Sequence, residues 1–266
     1  MRIWDLDVNL ISLGRFRLDG GAMFGIVPKP IWEKLFEADE RNRIELGLNV
    51  LLIKDENEEY TLVDSGISYN FSEKEMEIYQ IRRRTGDFPI DPKKVSRVIL
   101  THLHFDHAGL CSEGNPVFSE AEHIVQRREW EAALNPNERT RASYKLEDLL
   151  PIEEQGLLRK ISGSKRLDRG IRVIRTGGHT QGHQVVLVGR GKEKGIYLGD
   201  LVPTSKHVPF PYIMGYDLFP LENLKWRKKL YEKISKENWI VFFEHDPDPT
   251  FGRISLKEKE AVFTPL

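Results

Sequence analysis

Thr101-His102-Leu103-His104-Phe105-Asp106-His107 packs three imidazoles and a carboxylate into six residues, directly after the apolar run Arg97-Val98-Ile99-Leu100. Imidazole nitrogen and carboxylate oxygen are the donors that zinc and similar divalent ions take from proteins. On a strand, His102 and His104 project the same way because they are two apart. Asp106 and His107 must turn aside, most simply onto the first turn of a helix, so one run can serve two adjacent ions. The competing reading is a polar loop with chance histidines. Four metal-type residues in six positions count against it.

Other apolar runs end in the same chemistry. Leu62-Val63 leads to Asp64-Ser65-Gly66, where Asp64 reads equally as a turn residue or as an acid that orients a ligand histidine. Ile171-Arg172-Val173-Ile174 leads to Gly177-Gly178-His179-Thr180-Gln181-Gly182-His183. Ile196-Tyr197-Leu198-Gly199 leads to Asp200, and Trp239-Ile240-Val241-Phe242-Phe243 to Glu244-His245-Asp246. In an α/β protein with packed sheets, strand ends gather along a common edge, which gives distant residues a route to one cleft. His102, His104, Asp106, His107, His179, Asp200 and His245 are too many for one tetrahedral ion. They suit two, with one carboxylate bridging.

The elements that must carry these residues are partly visible. Alternation at Ile3, Leu6, Val8 and Leu10 predicts a half-buried strand. Strands over Ile44–Lys54 and Tyr60–Val63 form a hairpin, and Ser72 to Arg84 is expected to be helical, with Ser72 as cap and Glu75 at the capping-box position. Ala121–Gln126 is expected as a strand whose His123 is structural, Arg127–Leu134 as a helix, and Leu224–Lys236 as an amphipathic helix. The glycine- and proline-rich stretch 19–30 reads as a surface loop, or as one that carries Met23 and Phe24 to a substrate pocket. Residues 135–165 are a candidate cap or insertion. No repeat or linker divides the chain, so residues 1–266 are expected to form a single domain.

The totals narrow the class. Of 266 residues 39% are hydrophobic and 30% charged, and 40 Lys and Arg against 41 Asp and Glu leave a formal charge of -1. That balance offers no general attraction to nucleic acid or to an anionic membrane, so neither is expected as a partner. The single cysteine, Cys111, cannot pair within the chain, which suits a reducing cytoplasm. Neither a signal peptide nor a spanning helix is expected from the N-terminal residues.

In order and spacing, the run from Thr101 to His107, with Leu62-Val63-Asp64-Ser65-Gly66 before it and the His179, Asp200 and His245 segments after it, resembles the metallo-β-lactamase-fold hydrolases. Gly21-Ala22-Met23-Phe24-Gly25, the stretch Gly199–His207 and Met214-Gly215-Tyr216-Asp217 are similar to the quorum-quenching lactonase branch. The resemblance implies a four-layer αββα sandwich with metals at one edge of the sheets. It implies that His102, His104 and His179 hold one ion, that Asp106, His107 and His245 hold the other, that Asp200 bridges them, and that Asp64 is a supporting acid. His183 stays outside the ligand set. One departure is Pro203, where acyl-homoserine lactonases commonly have a tyrosine; Tyr212 or His207 is the expected substitute.

The expected activity is metal-dependent hydrolysis of a lactone or ester, with a bridging hydroxide attacking the carbonyl carbon and Asp106 shuttling a proton to the leaving alkoxide. Zinc is the first choice of ion, with Mn, Fe or Co as alternatives. Phe24, His207, Phe210 and Tyr212 are the candidate substrate contacts. Same-fold alternatives are a phosphotriesterase or phosphodiesterase and a thioester hydrolase, and a non-catalytic metal-binding protein is a further one. The partner is a small-molecule substrate, and a homodimer is compatible with the sequence.

Overall fold

The computed structural model describes residues 1–85, 88–112, 114–258 and 260–266. Two mixed β-sheets form its centre. The first runs in spatial order Arg2–Ile3, Leu6–Asp19, Arg43–Lys54, Tyr60–Val63, Val95–Ile99, Glu122–Gln126 and Leu158–Ile161, with Arg82–Arg83 paired to the long second strand. The second runs Glu260–Pro265, Thr250–Lys257, Ile240–Phe243, Glu193–Tyr197, Gln184–Arg190, Ile171–Arg175 and Lys165–Arg166.

Alternation along the strands sorts their side chains into separate cores. Leu51, Ile53, Val63, Ile99 and Ile124 of the first sheet pack with Val173, Val186, Val188, Tyr197 and Phe242 of the second. One residue out of phase, Leu52, Leu62, Val98 and Val125 pack instead with Trp130, Ala133, Leu149 and Ile152 of the helices Arg127–Leu134 and Leu146–Glu154. Val185, Ile196, Val241 and Phe243 do likewise with Leu230, Tyr231 and Ile234 of the helix Pro220–Glu237. The layers are therefore helix, sheet, sheet, helix, as expected.

Local departures from expectation have identifiable causes. The capping box at Ser72 and Glu75 forms in both directions, but the helix covers only Glu73–Tyr79. Gln80 turns left-handed at φ 45°, and Arg82–Arg83 then pair with Gly14 and Arg15. A Cβ at Gly14 would lie 2.4 Å from the Arg82 carbonyl oxygen, so this pairing needs glycine. The second half of 135–165 is built into the sandwich, since Leu158–Ile161 and Lys165–Arg166 are edge strands of the two sheets. Its charges concealed that role, and edge strands tolerate them. Stretch 19–30 holds two helical turns, Gly20–Phe24 and Lys29–Trp32, with Met23 and Phe24 buried. Among the described residues no helix is long and apolar enough to cross a membrane.

His123 is buried on the strand Glu122–Gln126, and its Nδ1 donates to the Ala121 carbonyl at 3.0 Å while Nε2 has no partner. Burial lowers its pKa from 6.5 to about 4. The unfolded chain therefore takes up a proton, as pH falls below 6.5, that the native chain refuses until pH reaches about 4. The stability contributed by neutral His123 is complete above pH 6.5 and is lost across that window. Relative to His123→Leu, the native protein is expected to lose about 3 kcal/mol of unfolding free energy between neutral and acidic pH. Urea titrations of both proteins across the range measure this difference; parallel pH profiles would refute it.

Candidate metal centre

Five strand ends deliver the site. Val63 is followed by Asp64, Ile99 by the run from Leu100 to His107, Arg175 by the His179 loop, Tyr197 by Asp200, and Phe243 by Glu244 and His245. The first two strands belong to one sheet and the other three to its partner, so the ligand types converge from both sheets. Ligand atoms of His102, His104 and His179 lie within 4.8 Å of one another, as do those of Asp106, His107 and His245. Asp200 stands between the groups. Its Oδ2 is 3.2 Å from His179 Nε2, and its Oδ1 is 3.2 Å from His245 Nε2.

Within each group the imidazole nitrogens also face one another closely. His179 Nε2 faces His104 Nδ1 at 3.1 Å, and His245 Nε2 faces His107 Nε2 at 3.2 Å. His102 Nε2 and Asp200 Oδ1 are buried without a hydrogen-bond partner. Burial and the neighbouring imidazoles push His102 and His104 well below their ordinary pKa, which leaves bare lone pairs. Burial works the same way on His107, His179 and His245, but carboxylates outweigh it. Glu244, Asp106 and Asp200 raise His107; Asp200 and Asp217 raise His179; Asp200 and Glu244 raise His245 to about 9. The pocket thus attracts positive charge at its centre, and this donor set fits divalent ions.

Behind the cluster, acceptors fix the rings of His107, His179 and His245. Asp64 accepts from Thr101 N at 2.6 Å and Thr101 Oγ1 at 2.7 Å, and its Oδ2 is 3.1 Å from His107 Nδ1. Glu244 Oε2 is 2.8 Å from the same nitrogen. Burial, opposed by His107, raises Glu244 to about 8. His179 Nδ1 donates to Asp217 Oδ1 at 2.8 Å, and His245 Nδ1 to the Gly47 carbonyl at 2.8 Å. Such partners set the tautomer and aim of a ligand imidazole. His183 turns its Nδ1 to Thr176 Oγ1 at 2.8 Å and stays beside the cluster. Cys111 is buried, and burial pushes its thiol up to about 12, so it is no nucleophile.

Above the cluster lies a cleft of about 420 Å³, reached by His104, Asp106, His179, Asp200 and His245 and walled by Met23, Tyr79, Phe105, Ser143, Met214 and Tyr216, among others. Phe24, His207, Phe210 and Tyr212 do not line it. Phe24 is buried, stacked on His207 at 4.4 Å between centroids. Both nitrogens of His207 are used within the protein, Nε2 towards the Met23 carbonyl at 3.0 Å and Nδ1 towards Thr204 Oγ1 at 2.7 Å. Tyr212 packs edge-on to Phe24, and Phe210 against Tyr231. Phe24 and His207 belong to the core behind the cleft, and Phe210 lines a separate pocket with Pro211 and Leu221. The phenols beside Asp106 are Tyr79 and Tyr216, and Pro203 contributes its carbonyl, which accepts from His245 N at 2.9 Å. Asp217, Tyr79 and Tyr216 were not read as site residues from the sequence; Met214-Gly215-Tyr216-Asp217 was the only trace of Tyr216 and Asp217, and Tyr79 left none.

A model of the metallo-β-lactamase superfamily matches residues 44–245. The chain belongs to the metallo-β-lactamase superfamily. The N-acyl homoserine lactonase AiiA of Bacillus thuringiensis subsp. kurstaki is 32% identical over 224 residues, spanning 82% of this chain and 81% of its own. A probable metal-dependent hydrolase from Staphylococcus aureus matches at TM-score 0.89 and 28% identity over 99% of both chains. AidC, a dizinc quorum-quenching lactonase solved with a product, matches at TM-score 0.81 over 100% of this chain and 96% of that one; at 20% identity the likeness is one of fold. With this family and these relatives the protein is a lactonase-like metallohydrolase.

Asp217→Ala removes the acceptor behind His179 and also frees the Asn223 amide, which donates to Asp217 Oδ2 at 2.7 Å. The variant is expected to bind metal about 10- to 100-fold more weakly than the native protein, as read by chelator competition. Unchanged affinity would mean that Asp217 does not orient His179.

Proposed function

We propose that the protein is a binuclear metal-dependent lactonase, with N-acyl homoserine lactones as the first substrate class to test and other lactones and carboxylic esters as the next. His102, His104 and His179 hold one divalent ion, Asp106, His107 and His245 the other, and Asp200 bridges them; zinc is the first choice. The observation that carries this reading is the position of Asp200, one oxygen 3.2 Å from a histidine of each group. When bound, such a pair supplies an activated water at neutral pH and polarises a carbonyl oxygen.

The chain's own residues do the remainder. Met23, Phe105 and Met214 give the cleft apolar walls that exclude water from the acyl portion of a substrate. Tyr79 and Tyr216 line the cleft, their phenols are protonated at neutral pH, and they can donate to the substrate's carbonyl or amide oxygen in place of the tyrosine missing at Pro203. Asp106 lines the cleft with its oxygens 3.8 Å from His107 Nε2 and 3.7 Å from His245 Nε2. It is placed to pass a proton to the alcohol oxygen released when the ring opens.

Ring opening yields a carboxylic acid that releases a proton at neutral pH, so a pH indicator follows the reaction. The zinc- or manganese-loaded protein is expected to open N-acyl homoserine lactones. Turnover of phosphotriesters alone would overturn the substrate class, and tight metal without turnover of any substrate would favour a binding protein. Asp200→Ala is expected to lose bound metal and to lower turnover by more than about a hundredfold, because loss of a direct ligand should exceed loss of an outer partner. Full activity in that variant would refute the ligand set.

A further inference from the structure

Glu129 lies in the first turn of the helix Arg127–Leu134, a position where acids usually face water, yet its side chain is fully buried. Its Oε1 accepts from Leu103 N at 3.2 Å and from Tyr144 Oη at 3.2 Å. Its Oε2 accepts from Thr180 Oγ1 at 2.6 Å and from Gly182 N at 3.1 Å. Each oxygen thus faces one backbone N–H, a donor that cannot reverse its role, and one hydroxyl.

These four donors come from three segments. Leu103 sits between His102 and His104; Thr180 follows His179; and Tyr144 ends the strap whose Ser143 carbonyl accepts from Phe105 N at 2.9 Å. The Tyr144 ring also packs edge-on to His104, 5.2 Å between centroids. The approach is close by construction. A Cβ at Gly182 would lie 2.5 Å from Glu129 N, so the His179 loop reaches the helix only because residue 182 is glycine.

We infer that Glu129 is a positioning residue that holds the His102–His104 segment and the His179 loop in register, and so sets the geometry of one ion site and not of the other. The role rests on the ligand set proposed above. The carboxylate's contact with the metal-ligand run falls at Leu103, between His102 and His104. Asp106 and His107 lie further along that run, beyond Phe105, whose N–H is held separately by the Ser143 carbonyl at 2.9 Å, and His245 lies on another segment. The effect therefore falls on the His102, His104 and His179 group. The selectivity follows from chemistry as well as position. A glutamine of the same shape keeps one acceptor oxygen and puts an NH2 against the other backbone N–H, which breaks the link on one side without opening a cavity.

The test is metal release from the cobalt-loaded protein into excess chelator, followed by the visible cobalt spectrum and by total bound metal, with circular dichroism as the check on folding. The native protein is expected to release two ions. Glu129→Gln is expected to release one of them roughly 10- to 100-fold faster, with the other unchanged. Thr180→Val, which removes one donor, should accelerate the same ion, and Thr180→Ser, which restores the hydroxyl, should return it to the native rate. Should Glu129→Gln fail to fold, the Thr180 pair decides alone. Release of both ions from Glu129→Gln at the native rates, or equal acceleration of both, would overturn the role and leave the lactonase reading standing. A native protein that binds no cobalt would remove the ligand set itself, and this role with it.

Discussion

Buried negative charge is the constraint around which this molecule is arranged. Asp64, Asp106, Glu129, Asp200, Asp217 and Glu244 are all buried around the strand ends, while Arg227 is the one Lys or Arg among the described residues that is buried. The Arg227 guanidinium is already committed to the carbonyls of Leu201, His207 and Tyr212. Removing a carboxylate from water costs several kcal/mol unless donors or cations replace the lost solvent. The outer acids meet that cost with backbone N–H groups, hydroxyls and imidazole N–H groups. The inner ones, Asp106 and Asp200, face the imidazoles of His107, His179 and His245, whose affinity for a proton they raise, so the centre of this interior favours positive charge.

The sandwich makes such a concentration of charge sustainable. Along four of the five strands the apolar alternation continues to the last residue before the site, with Val63, Ile99, Tyr197 and Phe243 all buried. The polar groups begin only where the backbone leaves the ladder. The low-dielectric layer between the sheets thus stops against a compact polar one, and hydrogen bonds at that boundary are strengthened by the apolar mass beneath them.

This boundary is also why so much of the site could be read from sequence. His102, His104, Asp106, His107, His179, Asp200 and His245 each stand at the end of an apolar run, a pattern that needs no knowledge of pairing. The same runs supplied the sheets. Glu129 was illegible, and the role of Asp217 went unread, because a charged residue in a short helix or loop is ordinarily solvated and nothing in the neighbouring residue types marks the exception. Glu129 meets Thr180 across 51 positions, a contact that only the fold creates. Phe24, His207, Phe210 and Tyr212 show the opposite difficulty. Aromatic and histidine side chains serve a core as readily as a cleft, and their spacing does not tell the two apart. The helix after Ser72 was legible at its start, where a capping box has a sequence pattern, and not at its end, where Gln80 takes a left-handed turn that glutamine does not advertise.

Asp64 stands out for its backbone as well as its carboxylate. It has φ 58°, in the left-handed region, at the point where the chain leaves the strand Tyr60–Val63. Among side chains with a Cβ, aspartate and asparagine tolerate that conformation best, and of those two only aspartate offers a pair of oxygens to Thr101 and His107. Two unrelated demands, one steric and one electrostatic, therefore select the same residue, so drift at this position is barred from both directions at once.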